Sequence, residues 1–146
     1  MKERITARIV LLNKENKFLL LQCNNGKEIF WLPPGGGVEQ GETFFQAAQR
    51  ELFEETGIQN AIIEPTHRWY AEEVRMVVDN YILFKEHIFL AQVDNPAINF
   101  DNHTEDERRE MIDCHWWDVN QFDQQTHTLY PSMLVKLLGE YFSDNK

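Results

Sequence analysis

The sequence predicts an α/β fold in which a mixed β-sheet is covered on two faces by helices. Three observations predict it. Strand-like runs bounded by turn residues lie on both sides of one capped helix, and a second amphipathic helix closes the chain. The length, 146 residues with 42% hydrophobic and 12% aromatic content, suits one domain spanning residues 1–146. Apolar faces of this kind are buried by stacking helices and sheet in layers.

From Arg4 to Leu12 the chain is rich in β-branched and aliphatic residues, and a polar turn at 13–17 precedes Phe18-Leu19-Leu20-Leu21-Gln22, so a hairpin or two adjacent strands are expected. Asn25-Gly26 is a second turn signal, and Glu28 to Leu32 reads as a short strand entering Pro33-Pro34-Gly35-Gly36-Gly37. Three glycines let the backbone approach a ligand or take positive φ, although Gly35 and Gly37 read more simply as a tight turn. The run lacks a G-K-[ST] ending and is not a P-loop. Thr43 and Gln46 form a capping box that starts a helix near Phe44, and Gly57 ends it. Further on, 61–63 and 67–78 are strand-like, Asp79-Asn80 is a turn, and 81–93 completes a hairpin. A polar loop is expected over 94–110, a strand over 111–119, and a closing helix over 131–142 with Leu134, Leu137, Leu138 and Tyr141 at helical spacing.

The first helix carries the chemistry. At about 100° per residue, Glu51, Glu54 and Glu55 fall within one third of its circumference, beside a stripe of Phe44, Ala48 and Leu52. Two carboxylates about 5 Å apart repel by roughly 3 kcal/mol at an effective dielectric near 20. Arg50 neutralises part of this charge, and the remainder suits a hard divalent cation that takes oxygen ligands, Mg²⁺ first and Mn²⁺ next. The short side chains of Ala47 and Ala48 would leave room for metal and phosphate. Three glutamates alone would read as a solvated acidic face, so the decision rests on their surroundings.

Those surroundings are Gly36, five residues, Glu42, seven residues, Arg50-Glu51-Leu52, one residue, Glu54-Glu55, one residue, Gly57-Ile58. This spacing resembles the box of the Nudix hydrolases at every fixed position. The resemblance implies a Nudix-type α/β/α sandwich with a mixed β-sheet. It also implies hydrolysis of a nucleoside diphosphate linked to another moiety, by water attacking a phosphorus of the bridge. Carried onto this chain, it makes Glu51, Glu54 and Glu55 the metal shell, joined by the Gly36 carbonyl. Arg50 would orient the catalytic glutamates, and Glu42 would fold back toward Arg50. The general base is expected at Glu54, with Glu51, Glu105, Glu107 and Glu110 as competitors. Glu107 is the choice for a fourth carboxylate ligand from the later loop. A homodimer is compatible with the resemblance.

Composition limits the partners. A formal net charge of −10 offers no basic surface for extended nucleic acid or an anionic membrane, so the expected partner is a small phosphorylated nucleotide. Cys23 and Cys114 form no C-x-x-C pair and are expected as buried free thiols. With no apolar run of membrane-spanning length and no signal-peptide pattern, a cytoplasmic location is expected. His67, His87, His103, His115 and His127 lack paired metal spacing. Trp31, Trp69, Tyr70, Trp116 and Trp117 read mainly as core, and Arg4, Arg8, Arg68 and Arg75 are candidates for a distal phosphate. The downstream markers that the family uses for ADP-ribose or dinucleoside polyphosphates are missing, with Glu73, Val74 and Arg75 at those spacings, and so is the upstream coenzyme A pattern. By elimination the leading substrate is a (deoxy)nucleoside triphosphate, with nucleotide sugars next. The rival from another class is a non-catalytic nucleotide sensor, but such domains commonly lose box carboxylates and here all are present.

Overall fold

The structure, a computed structural model, describes residues 1–103, 105 and 110–145, with Ile112 described by its backbone alone. Its centre is a pair of long strands. β1 (Lys2–Leu12) and β7 (Asn80–Gln92) run parallel, in register from Lys2 beside Ile82 to Leu12 beside Gln92. Around them lie β2 (Phe18–Asn24), β3 (Ile29–Leu32), β4 (Gly35–Gly37), β5 (Ile62–Ile63), β6 (Trp69–Val77) and β8 (Met111–Trp117). Among the described residues these eight strands form one sheet with the path β3-β2-β1-β7-β5, to which β4 adds at β1, β6 at β7 and β8 at β2. All pairs other than β1 with β7 are antiparallel, so the sheet is mixed.

Alternation along the central strands gives each face its own core. Ala7, Ile9 and Leu11 of β1 with Phe89 and Ala91 of β7 meet Ala47, Ala48 and Leu52 of helix α1 (Phe44–Thr56). Val10 and Leu12 with Ile88 and Leu90 meet Leu134 and Leu138 of helix α2 (Leu134–Asp144) on the other face. Period 2 in a strand separates these sets, and each fully buried Leu or Phe contributes about 2 kcal/mol. The expected mixed α/β sandwich is the observed one.

The ends of α1 are local chemistry. Thr43 N–H donates to Gln46 Oε1 at 2.9 Å, and Gln46 N–H donates to Thr43 Oγ1 at 3.0 Å, which closes the capping box. Gly57 takes φ +72° and donates to the Phe53 carbonyl at 2.8 Å.

The expected β1–β2 hairpin is present, antiparallel and paired at Leu12 beside Phe18, while β4 takes the β1 edge next to Thr6, Ala7 and Arg8. Other expectations are corrected. Residues 35–37 are therefore a strand rather than a plain turn. Gly35 has φ +147°, and a Cβ there would collide with the Ala7 carbonyl, so only glycine allows this close approach. Ala47 and Ala48 are fully buried against the sheet and leave no space for ligand. The hairpin turn lies at Val78 and Asp79, both at positive φ, one residue earlier than expected. Cys23 and Cys114 are in no disulfide and are only half-buried.

Candidate active site

The site is built where the β4 backbone meets the acidic edge of α1. Arg50 organises that edge. Its guanidinium grips Glu42 with two N–H groups, Nε to Oε2 at 2.7 Å and Nη2 to Oε1 at 3.0 Å, the forked geometry a carboxylate accepts best. Nη1 donates to Glu51 Oε1 at 2.9 Å and to Glu54 Oε2 at 3.3 Å, while Nη2 also donates to the Gly37 carbonyl at 3.0 Å. The hydrogen bond from Arg50 holds the Glu42 carboxyl below the usual range, and those to Glu42 and Glu51 in turn raise Arg50, so the Glu42–Arg50 pair stays ionised.

Glu51 and Glu55 are buried, and Glu54 is half-buried at the rim. Gly35 N–H donates to Glu55 Oε1 at 2.7 Å. Gly36 faces Glu51 so closely that a Cβ would come within 2.6 Å of Oε1, so the absence of a side chain is what lets the carboxylate lie there. Every box donor is a carboxylate or carbonyl oxygen, which fits a hard divalent cation by chemistry. Among the described residues no three acidic, His or Cys side chains already converge on one point. Glu51 and Glu54 turn to Arg50, and Glu55 turns to Gly35, so joint coordination would require rotation about side-chain bonds.

Gly35, Gly36 and Glu55 border a cleft of about 440 Å³. Four cations, Arg4, Arg8, Lys27 and Arg75, also line it, together with Phe30, Phe84 and Tyr130 among others. Three carboxylates, Glu28, Glu55 and Glu110, share the lining, so the four cations leave the cleft with a slight positive excess within a chain of net charge −10. Beneath it, Glu86 is fully buried in the sheet. It accepts from Arg8 Nε at 3.0 Å and from Thr6 Oγ1 and Arg75 Nη2. Burial disfavours its charge, but Arg8 and Arg75 outweigh burial and hold Glu86 below the usual carboxylate range. The same balance raises Arg8: burial opposes its charge, and Glu86, Glu55 and Glu51 overcome that. Arg75, in contrast, is lowered by burial and by the charge of Arg8, against the pull of Glu86.

Of the phosphate candidates, Arg4, Arg8 and Arg75 reach the cleft; Arg68 instead pairs with Glu64 at 2.7 Å on the surface. Glu110 stands at the cleft wall, Glu105 is exposed, and Glu107 lies outside the described residues. The tryptophans pack in or against the two cores, whereas the aromatics in the cleft are Phe30, Phe84 and Tyr130, which sequence reasoning missed. His103 Nε2 lies 2.6 Å from the Glu55 carbonyl, where a ring N–H would cap the end of α1. Glu86 was also missed, although a clue exists: it takes an inward position between Phe84 and Ile88, as Arg8 does two residues before Val10. A second pocket of about 340 Å³, beside Phe45, Phe53 and Ile63, holds none of the box carboxylates.

The chain matches the NUDIX domain family over residues 2–136. It is 48% identical over 52 residues to an RNA pyrophosphohydrolase of Pelagibacter ubique, a match covering 36% of this chain and 33% of that protein. An RNA pyrophosphohydrolase of Francisella tularensis is 38% identical over 92 residues, covering 61% of this chain and 56% of the relative. The chain therefore spans between a third and somewhat over half the length of these relatives. By fold it resembles a Caenorhabditis elegans Ap4A hydrolase, TM-score 0.69 at 22% identity over 98% of this chain and 99% of that one. It also resembles a MutT protein of Methanosarcina mazei, TM-score 0.66 at 19% identity over 99% and 96% of the two chains. Family match, box and shared fold agree, and the chain belongs to the Nudix family.

Proposed function

We propose that this protein is a divalent-metal-dependent pyrophosphohydrolase acting on a nucleoside triphosphate or its deoxy form. The observation that carries the reading is that the acidic edge organised by Arg50 adjoins, through Glu55 and Gly36, a cleft lined by Arg4, Arg8, Lys27 and Arg75 with aromatic neighbours. A polyphosphate is repelled by the first unless metal is present and attracted by the second. A bound Mg²⁺ or Mn²⁺ would neutralise the bridge oxygens and acidify a coordinated water. Glu51, Glu54 and Glu55, with the Gly36 carbonyl, are the groups to hold it. Glu54 is the group to take a proton from an attacking water, and its being the most solvent-accessible of the three supports that choice. Arg50 keeps the edge in one arrangement through its Glu42 fork. Phe30, Phe84 and Tyr130 offer aromatic surface to a base.

A second reading is supported by the relatives named RNA pyrophosphohydrolase: the substrate would be the 5′-triphosphate end of an RNA. The net charge of −10 disfavours contact along an RNA backbone, so recognition would be confined to the terminal nucleotides. One Mg²⁺-dependent screen tests both, across nucleoside triphosphates, diadenosine polyphosphates, ADP-ribose, nucleotide sugars and a short 5′-triphosphate RNA. Preference for mononucleotides supports the first reading, and preference for the RNA end supports the second. Binding of nucleotide with no turnover in any arm would replace both with a sensor.

A further inference from the structure

We propose that Glu86 is a positioning residue: its buried carboxylate clamps Arg8 and Arg75 so that the two guanidinium groups hold the substrate's phosphate chain against the carboxylate edge. This rests on the polyphosphate reading of the cleft. Three strands supply the parts, with Arg8 on β1, Arg75 on β6 and Glu86 on β7. All three sit on the inward face shared with Val10 and Ile88, where the pattern of the strands otherwise places apolar side chains. An ionised carboxylate with no exposure is costly to bury, and an apolar residue of similar volume would commonly serve stability as well. The trio therefore calls for an explanation beyond packing, and its position supplies one.

Both arginines line the cleft that contains Glu55, Gly35 and Gly36. Glu86 occupies one nitrogen of each, Nε of Arg8 and Nη2 of Arg75. Among the described residues no hydrogen bond engages the terminal nitrogens of Arg8, which leaves its forked donors for a ligand anion. Arg8 also feels the charges of Glu55 and Glu51. Without Glu86 it would be drawn toward them and away from a bound phosphate. Arg75 is fixed on its flat faces as well, its guanidinium carbon 3.8 Å from the Phe84 ring centre and 4.9 Å from that of Tyr130. Its Nε lies 3.5 Å from Glu73, whose other oxygen accepts from Ser132 N–H at 2.9 Å just before α2. Two cations held at one spacing bind a chain of phosphates with little ordering cost at the moment of binding.

The test is Glu86→Gln, which keeps the shape and removes the charge, read by steady-state kinetics at saturating Mg²⁺ and by equilibrium binding of inorganic tripolyphosphate. The expected result is a rise of about tenfold or more in KM and a matching loss of tripolyphosphate affinity, the scale of a charged hydrogen bond, with kcat changed far less. Glu86→Asp should recover part of the affinity. In an Arg8→Gln, Arg75→Gln background, Glu86→Gln should add almost nothing to KM, because it acts through those two residues. Folded Glu86→Gln protein with unchanged KM and tripolyphosphate affinity, or with a loss confined to kcat, would overturn the proposal. If Glu86→Gln does not fold, Arg8→Gln and Arg75→Gln decide, since wild-type KM and tripolyphosphate affinity in both would overturn it. A wild-type protein that binds tripolyphosphate through this trio yet hydrolyses no substrate would sink the pyrophosphohydrolase reading and leave the trio's role standing.

Discussion

Two charged constructions lie beside the cleft and solve the same problem in opposite ways. On α1, Arg50 faces Glu42, Glu51 and Glu54 from a partly exposed position, and all four residues lie within thirteen positions of sequence. In the sheet, Glu86 faces Arg8 and Arg75 with no solvent exposure, and its two partners come from strands 78 and 11 residues away. One carboxylate edge has spare negative charge for a cation; the other cluster presents spare donors for an anion. The difference teaches where each can fail. Losing a carboxylate from the edge should remove chemistry and leave the fold, because water and Arg50 absorb the change. Losing Glu86 should strain the fold, because two guanidinium groups would stay buried with their shared partner gone.

The largest expected effect acts on the edge alone. Chelation with EDTA should abolish turnover, restored by Mg²⁺ or Mn²⁺, while the thermal midpoint measured in the same buffers shifts little. Full activity in chelator would remove the metal from the mechanism. The buried cluster should give the larger stability effect: Glu86→Gln is expected to lose about 3 to 5 kcal/mol in denaturant unfolding. A loss below about 1 kcal/mol would mean that the trio relaxes or hydrates easily.

Glu54→Gln supplies the contrast. It should lower kcat by roughly two orders of magnitude and leave unfolding free energy within about 0.5 kcal/mol, since a half-exposed pair with Arg50 is worth little. Wild-type kcat would move the base to Glu51, Glu110 or the later loop. Adjacent glycines sharpen the same division on a smaller scale. In Gly36→Ala the atoms nearest the new methyl are those at the end of the Glu51 side chain, so kcat should fall by about tenfold with stability nearly kept. Unchanged kcat would show that Glu51 has room to move without consequence. The smallest effect is local: Thr43→Ala removes the cap of α1 and should cost about 1 kcal/mol, seen in unfolding and not in KM.

Much of the edge was legible because its information is local. Capping residues, helical period and the spacing from Gly36 to Gly57 lie within one continuous stretch, and the structure places the helix at the residues that spacing named. The sandwich was legible for a similar reason, since the alternation in β1 and β7 and the helical spacing of Leu134 and Leu138 each mark a face to be buried. The glycines misled because residues 33–37 carry every mark of a turn, and their true setting depends on β1 arriving alongside.

What the sequence determined by itself is therefore the helix, its acidic edge and the two-faced character of the strands, all set by interactions spanning a few residues. What only the tertiary structure decided is which strands adjoin. The parallel register of β1 with β7, and the antiparallel register of β7 with β6 beside it, bring Arg8, Arg75 and Glu86 to one point from three segments. No local pattern encodes that meeting. It follows from burying both faces of the sheet at once, which selects a single alignment of the strands and carries their few inward charges into contact.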